Sequence, residues 1–254
     1  MHILVTNDDG IRSVGLRALA DAALAAGHQV TVVAPAQQCS ANSQHLTLTK
    51  PLLVRENDWE GAKAFSVEGT PSDCVRLAPY LVESKFDFCL SGINNGQNAG
   101  TALYYSGTAA AAREAVMLYV PAMAVSICQG ADDAMRQKLA GMCVQMAEKL
   151  AAVPMPRYVY LNVNAPALPP EQWKPFTICP LSTSYFLDTY ERRESPLGRP
   201  YFWLSTDDTS GVPMEPHQPG TDCALLDEGH VTGTFVGYFQ DHNDALGALF
   251  EVKD

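Results

Sequence analysis

The stretch Ile3-Leu4-Val5-Thr6-Asn7-Asp8-Asp9-Gly10 decides how this chain is read. A short β-branched run ends in an asparagine, two adjacent carboxylates and a glycine. In an open α/β sheet, ligands bind in the crevice outside the carboxyl ends of the strands. Two acids crowded at such a place repel each other unless a cation or a proton sits between them. Asp-Gly is also a common turn signal, so the pair by itself admits a plain turn.

Outward from this stretch the pattern alternates. His2 to Thr6 reads as a buried strand. Leu16, Leu19, Ala20, Ala23 and Leu24 recur at helical spacing, and Gly27 supplies a stop. Gln29 to Ala34 is a second strand. This β-α-β opening favours a parallel sheet. The polar stretch 36–45 reads as a loop. Leu46 to Arg55 and Ala64 to Val67 read as a strand pair beside the main sheet. Pro71 opens a helix through Val82, since proline is tolerated at the first helical position. Phe86 to Leu90 reads as a strand leading into a loop over 91–100. Ser106-Gly107-Thr108 starts an alanine-rich helix, Ala122 to Ile127 is a strand, and Met135 to Leu150 is an amphipathic helix capped by Asp132 or Asp133. Tyr158 to Val163 is a further strand. After about residue 170, Pro and Gly become frequent. Strands such as Tyr201 to Ser205 and His230 to Val236 follow without an intervening helix, and a short helix is expected near Asn243 to Phe250. The expectation is one domain over 1–254, with an α/β core over about 1–170 and a β-rich extension over about 171–254.

Composition narrows the partners. The chain has 254 residues, 47% of them hydrophobic, which is enough for a substantial core. Its net charge of −11 argues against a nucleic-acid duplex or an anionic membrane as partner. No apolar run reaches the ~18 residues of a membrane span. Residues 1–6 read as a strand and not as a signal peptide. The seven cysteines form no CxxC pair and read as reduced thiols of a cytoplasmic protein.

Three loops follow strands of the parallel core and should open on one sheet edge. They carry Asn7, Asp8 and Asp9; Ser40, Asn42 and Ser43; and Asn94, Asn95 and Asn98. Two carboxylates with neutral oxygen donors, and no His or Cys pair, suit a hard ion such as Mg²⁺ or Mn²⁺. For Ser40 ordinary loop polarity, and for Asn94 a turn asparagine, are the competing readings. Ser106-Gly107-Thr108 places small residues at a helix start, where exposed N–H groups and the helix dipole attract an anion. A plain N-cap is the alternative there. Gly69-Thr70-Pro71-Ser72-Asp73 reads as a turn and helix start. No GxGxxG follows the first strand, which disfavours a dinucleotide-dependent dehydrogenase.

In combination these residues resemble the SurE (survival protein E) family of metal-dependent nucleotidases. The matching pieces are Ile3 to Gly10, Val32-Val33-Ala34-Pro35, Ser40 with Leu46-Thr47-Leu48, Gly69 to Val75, Ser91-Gly92-Ile93-Asn94, Tyr105 to Thr108, Leu161-Asn162-Val163-Asn164, Gly220-Thr221-Asp222 and Asp227-Glu228-Gly229. The resemblance implies one Mg²⁺ or Mn²⁺ per subunit held by Asp8, Asp9, Ser40 and Asn94. It implies a phosphate cradle at Ser106, Gly107 and Thr108 with Asn98 nearby, and catalytic roles for Asp8 and Asp9. It also implies a Rossmann-like three-layer core, a homodimer or homotetramer built through the C-terminal β extension, a cytoplasmic location, and hydrolysis of nucleoside 5′-monophosphates, with 3′-monophosphates or short polyphosphate as further substrates.

The chain departs from the family pattern in places. Ala36-Gln37-Gln38-Cys39-Ser40 replaces a stretch similar to Asp-Arg-Asn-Arg-Ser, which removes basic side chains from that loop. Ala99 stands where leucine is common, and the short segment after Asp241 bears on the assembly state. Two other readings compete with metal-assisted hydrolysis. One is an aspartyl-phosphate route through Asp8, disfavoured because the acids are adjacent and not spaced Asp-x-Asp. The other is a nucleotide- or anion-binding regulatory module with little turnover.

Overall fold

The computed structural model describes residues 1–183, 189–205 and 217–238. The strands are β1 (His2–Thr6), β2 (Gln29–Pro35), β3 (Val54–Asn57), β4 (Lys63–Val67), β5 (Phe88–Asn95), β6 (Ala122–Ile127), β7 (Val159–Ala165), β8 (Lys174–Ile178), β9 (Thr189–Glu194), β10 (Pro200–Ser205) and β11 (His230–Gly237). The helices are α1 (Val14–Ala25), α2 (Pro71–Val82), α3 (Gly107–Met117), α4 (Asp133–Ala151) and α5 (Asp222–Asp227). One sheet runs β3-β4-β2-β1-β5-β6-β7-β11-β8, and β9 with β10 forms a separate hairpin. From β4 across to β7 every pairing is parallel; β3 and β11 pair antiparallel with β4 and β7.

The expected three-layer α/β body is present. Parallel strands covered on both faces need continuous apolar runs, and all five residues of β1 are buried. Their side chains alternate between two cores. Ile3 and Val5 pack with Leu16, Leu19, Ala20 and Leu139 of α1 and α4. Leu4 packs on the other face with Val75, Ala78, Ala111 and Ala115 of α2 and α3. The chain leaves β1 through α1 to place β2 on one side, then returns through α2 to place β5 on the other. The strand order therefore reverses at β1, and the crevice opens at its carboxyl end.

Three sequence expectations are corrected. Leu46 to Lys50 is not a strand: Thr47 N and Oγ1 donate to Asp73, and Thr70 Oγ1 donates to His45 O, so this backbone is tied to the start of α2 and not to a ladder. Only Val54–Asn57 of that segment pairs, at the sheet edge. The strand expected over Phe86 to Leu90 instead spans Phe88–Asn95, because Asn94 and Asn95 resume pairing with Ser126 and Ile127 beyond a bulge. Gly92 enables this at φ +139°, where an added Cβ would collide with the Val125 carbonyl. Finally, the strands of the β-rich extension do not follow one another without a helix, since α5 lies between β10 and β11; β11 and β8 continue the main sheet past β7. The cap of α4 is Asp132, whose side chain accepts from Met135 N. The helix expected near Asn243 to Phe250 lies outside the described residues.

Candidate active site

Each chemical group at the carboxyl edge is held by a local device. Asn7 closes the turn after β1: its Nδ2 donates to Gly10 O and its Oδ1 accepts from Gly10 N, each at 3.1 Å. That turn delivers Asp8, which is only 5% exposed, and the half-exposed Asp9 to the crevice. The loop after β2 is pinned against it, since Cys39 N donates to Asp8 O at 2.8 Å. Gln38 Nε2 donates to Ser40 Oγ at 2.9 Å and to Asp9 Oδ1 at 3.4 Å. From β5, Asn95 N donates to Asp9 Oδ2 at 3.3 Å. Asn94, beside it, gives its Nδ2 to Gly96 O at 2.8 Å, which leaves Oδ1 as the available donor atom toward a ligand.

The start of α3 faces these acids. Ser106 is the N-cap and its side chain accepts from Ala109 N at 3.1 Å. Thr108 Oγ1 donates to Asp8 Oδ1 at 2.5 Å. Gly107 makes this approach feasible, because a Cβ there would lie 2.8 Å from Asp8 Cβ and 3.0 Å from Asp8 Oδ2. The first N–H groups of a helix have no intrahelical partner. Those of Gly107 and Thr108 therefore lie beside Asp8 with helix-dipole support.

Asn98 is placed differently from Ser106 to Thr108. Its Nδ2 donates to Ser126 Oγ at 2.8 Å. Asn164 Oδ1 accepts from Asn98 N, and Asn162 and Asn164 Nδ2 donate to Asn98 O. The side-chain amide of Asn164 thus pairs with the Asn98 backbone as a neighbouring strand would. Asn98 holds the 96–100 loop, and its amide nitrogen is engaged by Ser126. Asp222 performs a similar task from α5: it accepts from Gly100 N at 2.9 Å and from Ser182 N at 2.7 Å.

Burial dominates the electrostatics of the two acids. Burial pushes the Asp8 carboxyl above its ordinary range; the Thr108 hydroxyl opposes this and the neighbouring Asp9 adds to it. Burial also raises Asp9, with the Asn95 N–H and Arg136 acting against it. Among the described residues Asp8 and Asp9 have no Lys or Arg within salt-bridge distance. No three His, Cys, Asp or Glu side chains come together there either. An ion placed among these residues would meet only oxygens, two carboxylates with the neutral groups of Ser40 and Asn94, which is the chemistry of a hard divalent ion.

Sequence reasoning missed Gln38 as the link between Asp9 and Ser40, and Asn95 as the residue whose N–H reaches Asp9. Glutamine in a polar loop and a backbone donor carry no sequence signal. It also missed Glu114, which is 1% exposed on α3 and accepts from Gln44 Nε2 at 2.6 Å while pairing with Arg76 at 2.5 Å. The spacing of an acid in an alanine-rich helix does not reveal that it fastens a loop.

The family model for survival protein SurE matches residues 3–188. The chain belongs to the SurE family. Among curated SurE relatives, the 5′-nucleotidase SurE of Nitratidesulfovibrio vulgaris (strain Miyazaki F) is 40% identical over 100% of this chain and 93% of its own. That of Maridesulfovibrio salexigens is 38% identical over 98% of each chain. The crystal structure of the SurE protein of Aquifex aeolicus superposes with a TM-score of 0.80 at 31% identity, over 98% of both chains.

Proposed function

We propose that this SurE-family chain is a divalent-cation-dependent nucleotidase that hydrolyses nucleoside 5′-monophosphates to nucleoside and phosphate. The observation that carries the reading is the apposition of Asp8 to the start of α3, with Thr108 Oγ1 on its Oδ1 and Gly107 against its Cβ. It brings two acids, without a cationic partner among the described residues, face to face with a helix N-terminus. The names of the curated relatives, 5′-nucleotidase SurE, support the same activity.

Asp8, Asp9, Ser40 and Asn94 would hold Mg²⁺ or Mn²⁺. When bound, such an ion polarises a phosphoryl oxygen and makes water a better nucleophile. The chain's own residues supply the rest. The N–H groups at the start of α3, that of Gly107 first, would bind phosphate oxygens and stabilise charge that develops there, while the Thr108 N–H and hydroxyl both face Asp8. The Thr108 hydroxyl holds Asp8 in place and favours its charged form against the effect of burial. Asp9, less buried, is the carboxylate accessible to water and the group placed to orient it or take its proton. Asn98 enters as the pin of the loop that leads into α3. A homodimer or homotetramer through the C-terminal β extension and a cytoplasmic location belong to this reading. The seven free thiols fit a reducing compartment, and among the described residues no helix is long and apolar enough to cross a membrane.

Asp8→Asn keeps the oxygen that accepts from Thr108 but removes the charge. Phosphate release from a panel of nucleoside 5′- and 3′-monophosphates with Mn²⁺ or Mg²⁺ should fall by at least about 10³-fold, with an unchanged circular dichroism spectrum. Near-normal turnover by that variant would overturn the assignment. Binding of nucleotide by the wild type without phosphate release would favour the regulatory module.

A further inference from the structure

A groove of about 930 Å³ opens beside the candidate active site; its lining includes Gln38, which bonds Asp9 and Ser40, and Cys39, whose N–H bonds Asp8 O. That volume is at the upper limit for a small-molecule site and leaves room beyond a nucleoside. Its charge is opposite to that of the molecule. Acids outnumber Lys and Arg by 28 to 17 over the chain, yet the groove is lined by Arg12, Lys50, Arg55 and His45 against the single acid Glu68. Glu68 neutralises little of this, since its contact with Arg55 is 3.9 Å long and both side chains are exposed. Leu48 and Leu53, 86% and 55% exposed, add apolar surface to the same walls. Isolated exposed leucines need no explanation, but leucines interleaved with cations in one concavity suit a ligand with a flat apolar part and an anion beyond it.

The start of α3 already provides the place for the scissile phosphate, so the groove cations are not needed for that group. We infer that the groove between the 36–50 segment and the β3–β4 edge is a subsite for a second phosphate on the substrate, and that the preferred substrate class is a nucleotide phosphorylated at both ends of its sugar. Arg12, Lys50 and Arg55 would receive the distal phosphate, and Leu48 and Leu53 the base. The subsite rests on the nucleotidase reading above for its substrate, and goes beyond it in naming what the far end of that substrate carries.

Binding is measured by calorimetry in EDTA, so that no turnover occurs, with adenosine, AMP and adenosine 3′,5′-bisphosphate as probes. The wild type should bind the bisphosphate about tenfold more tightly than AMP, the scale of two partly screened ionic contacts. Lys50→Ala/Arg55→Ala should abolish that preference, and Lys50→Arg/Arg55→Lys should keep most of it. Equal binding of AMP and bisphosphate by the wild type, or a preference that survives the double alanine change, overturns the subsite. Phosphate release with Mn²⁺ is followed in parallel. If neither nucleotide is hydrolysed the nucleotidase reading fails, while the binding preference still decides the groove.

Discussion

Asp8 is stabilised for one purpose and destabilised for another. Burial and Asp9 push its carboxyl up, so the folded chain binds protons there more readily than the unfolded chain does. For a raised carboxyl the sign is unfavourable at high pH: stability falls as pH rises through the folded value, and the deficit persists at neutrality. Asp8→Asn removes that deficit. Its thermal midpoint at pH 7 in EDTA should exceed that of the wild type, whereas added Mn²⁺ should raise the wild-type midpoint and leave the variant unmoved, because only a ligand that binds the folded state stabilises it. A Mn²⁺ response that survives the substitution would place the ion elsewhere. Gly107 sets the other side of the same contact. Gly107→Ala forces a methyl group to 2.8 Å from Asp8 Cβ, so one of the two must move. A displacement of this scale should lower kcat by about 10²-fold with a native far-UV spectrum; a change below threefold would show that the apposition does not matter.

The elements around the site are tied by their ends. Thr70 and Asp73 form a reciprocal capping box at α2, and Asp73 also receives Thr47 N at 3.0 Å and Thr47 Oγ1 at 2.6 Å. One carboxylate thereby caps a helix and anchors the 36–50 segment. Burial alone would raise Asp73, but the hydrogen bonds from Thr47 and Thr70 outweigh it and hold the group below its ordinary 3.8. A lowered carboxyl contributes stability that is complete above the unfolded value and lost as pH falls through the folded one. Asp73→Asn should therefore cost about 1–2 kcal/mol at pH 6 by urea unfolding, and the gap to the wild type should close as pH drops below 4. A gap that stays constant with pH would mean that the charge is not what anchors the segment. This device also shows what was legible in sequence. The helix start at Pro71 was readable from local chemistry, as were β1, α1, β2 and α4, because caps and periodicity are local. Leu46 to Lys50 was misread because its apolar-polar alternation resembles a strand, while its partner is a carboxylate 26 residues away. The end of β5 was misread because glycine and asparagine signal a loop, while pairing with β6 overrides them. Of the candidate site, topology alone brought the stretches that carry Asp8 and Asp9, Ser40, Asn94 and the start of α3 to one sheet edge; singling out Ser40 and Asn94 within them came from the family resemblance. The donors that hold them, Gln38 Nε2 and Asn95 N, leave no mark in sequence, because a loop glutamine and a backbone N–H look the same whether or not they meet a carboxylate.

At the scale of the whole molecule, the sheet buries its own ends unevenly. β11 and β8 extend it beyond β7; β11 places Val231 and Val236 in the two cores, while β8 is a largely exposed edge. Among the described residues the β9–β10 hairpin pairs only with itself, and Phe202, Trp203 and Leu204 are 59%, 58% and 51% exposed, with Leu197 at its turn 83% exposed. Successive residues of a strand point to opposite faces, so exposure at three consecutive positions means that neither face is covered. A two-stranded hairpin is marginal by itself in water, and aromatic residues exposed together mark an interaction surface. A second copy of the chain covering this hairpin would stabilise both. Phe202→Ser/Trp203→Ser should then shift the sedimentation coefficient from that of a dimer or tetramer to that of a 27.5 kDa monomer. The crevice at β1 is assembled from β1, β2, β5 and α3 of one chain, so each monomer should keep its Mn²⁺-dependent thermal shift. A variant that remains fully oligomeric would assign assembly to another surface. One that loses the Mn²⁺ response on dissociating would show that the partner copy completes the site.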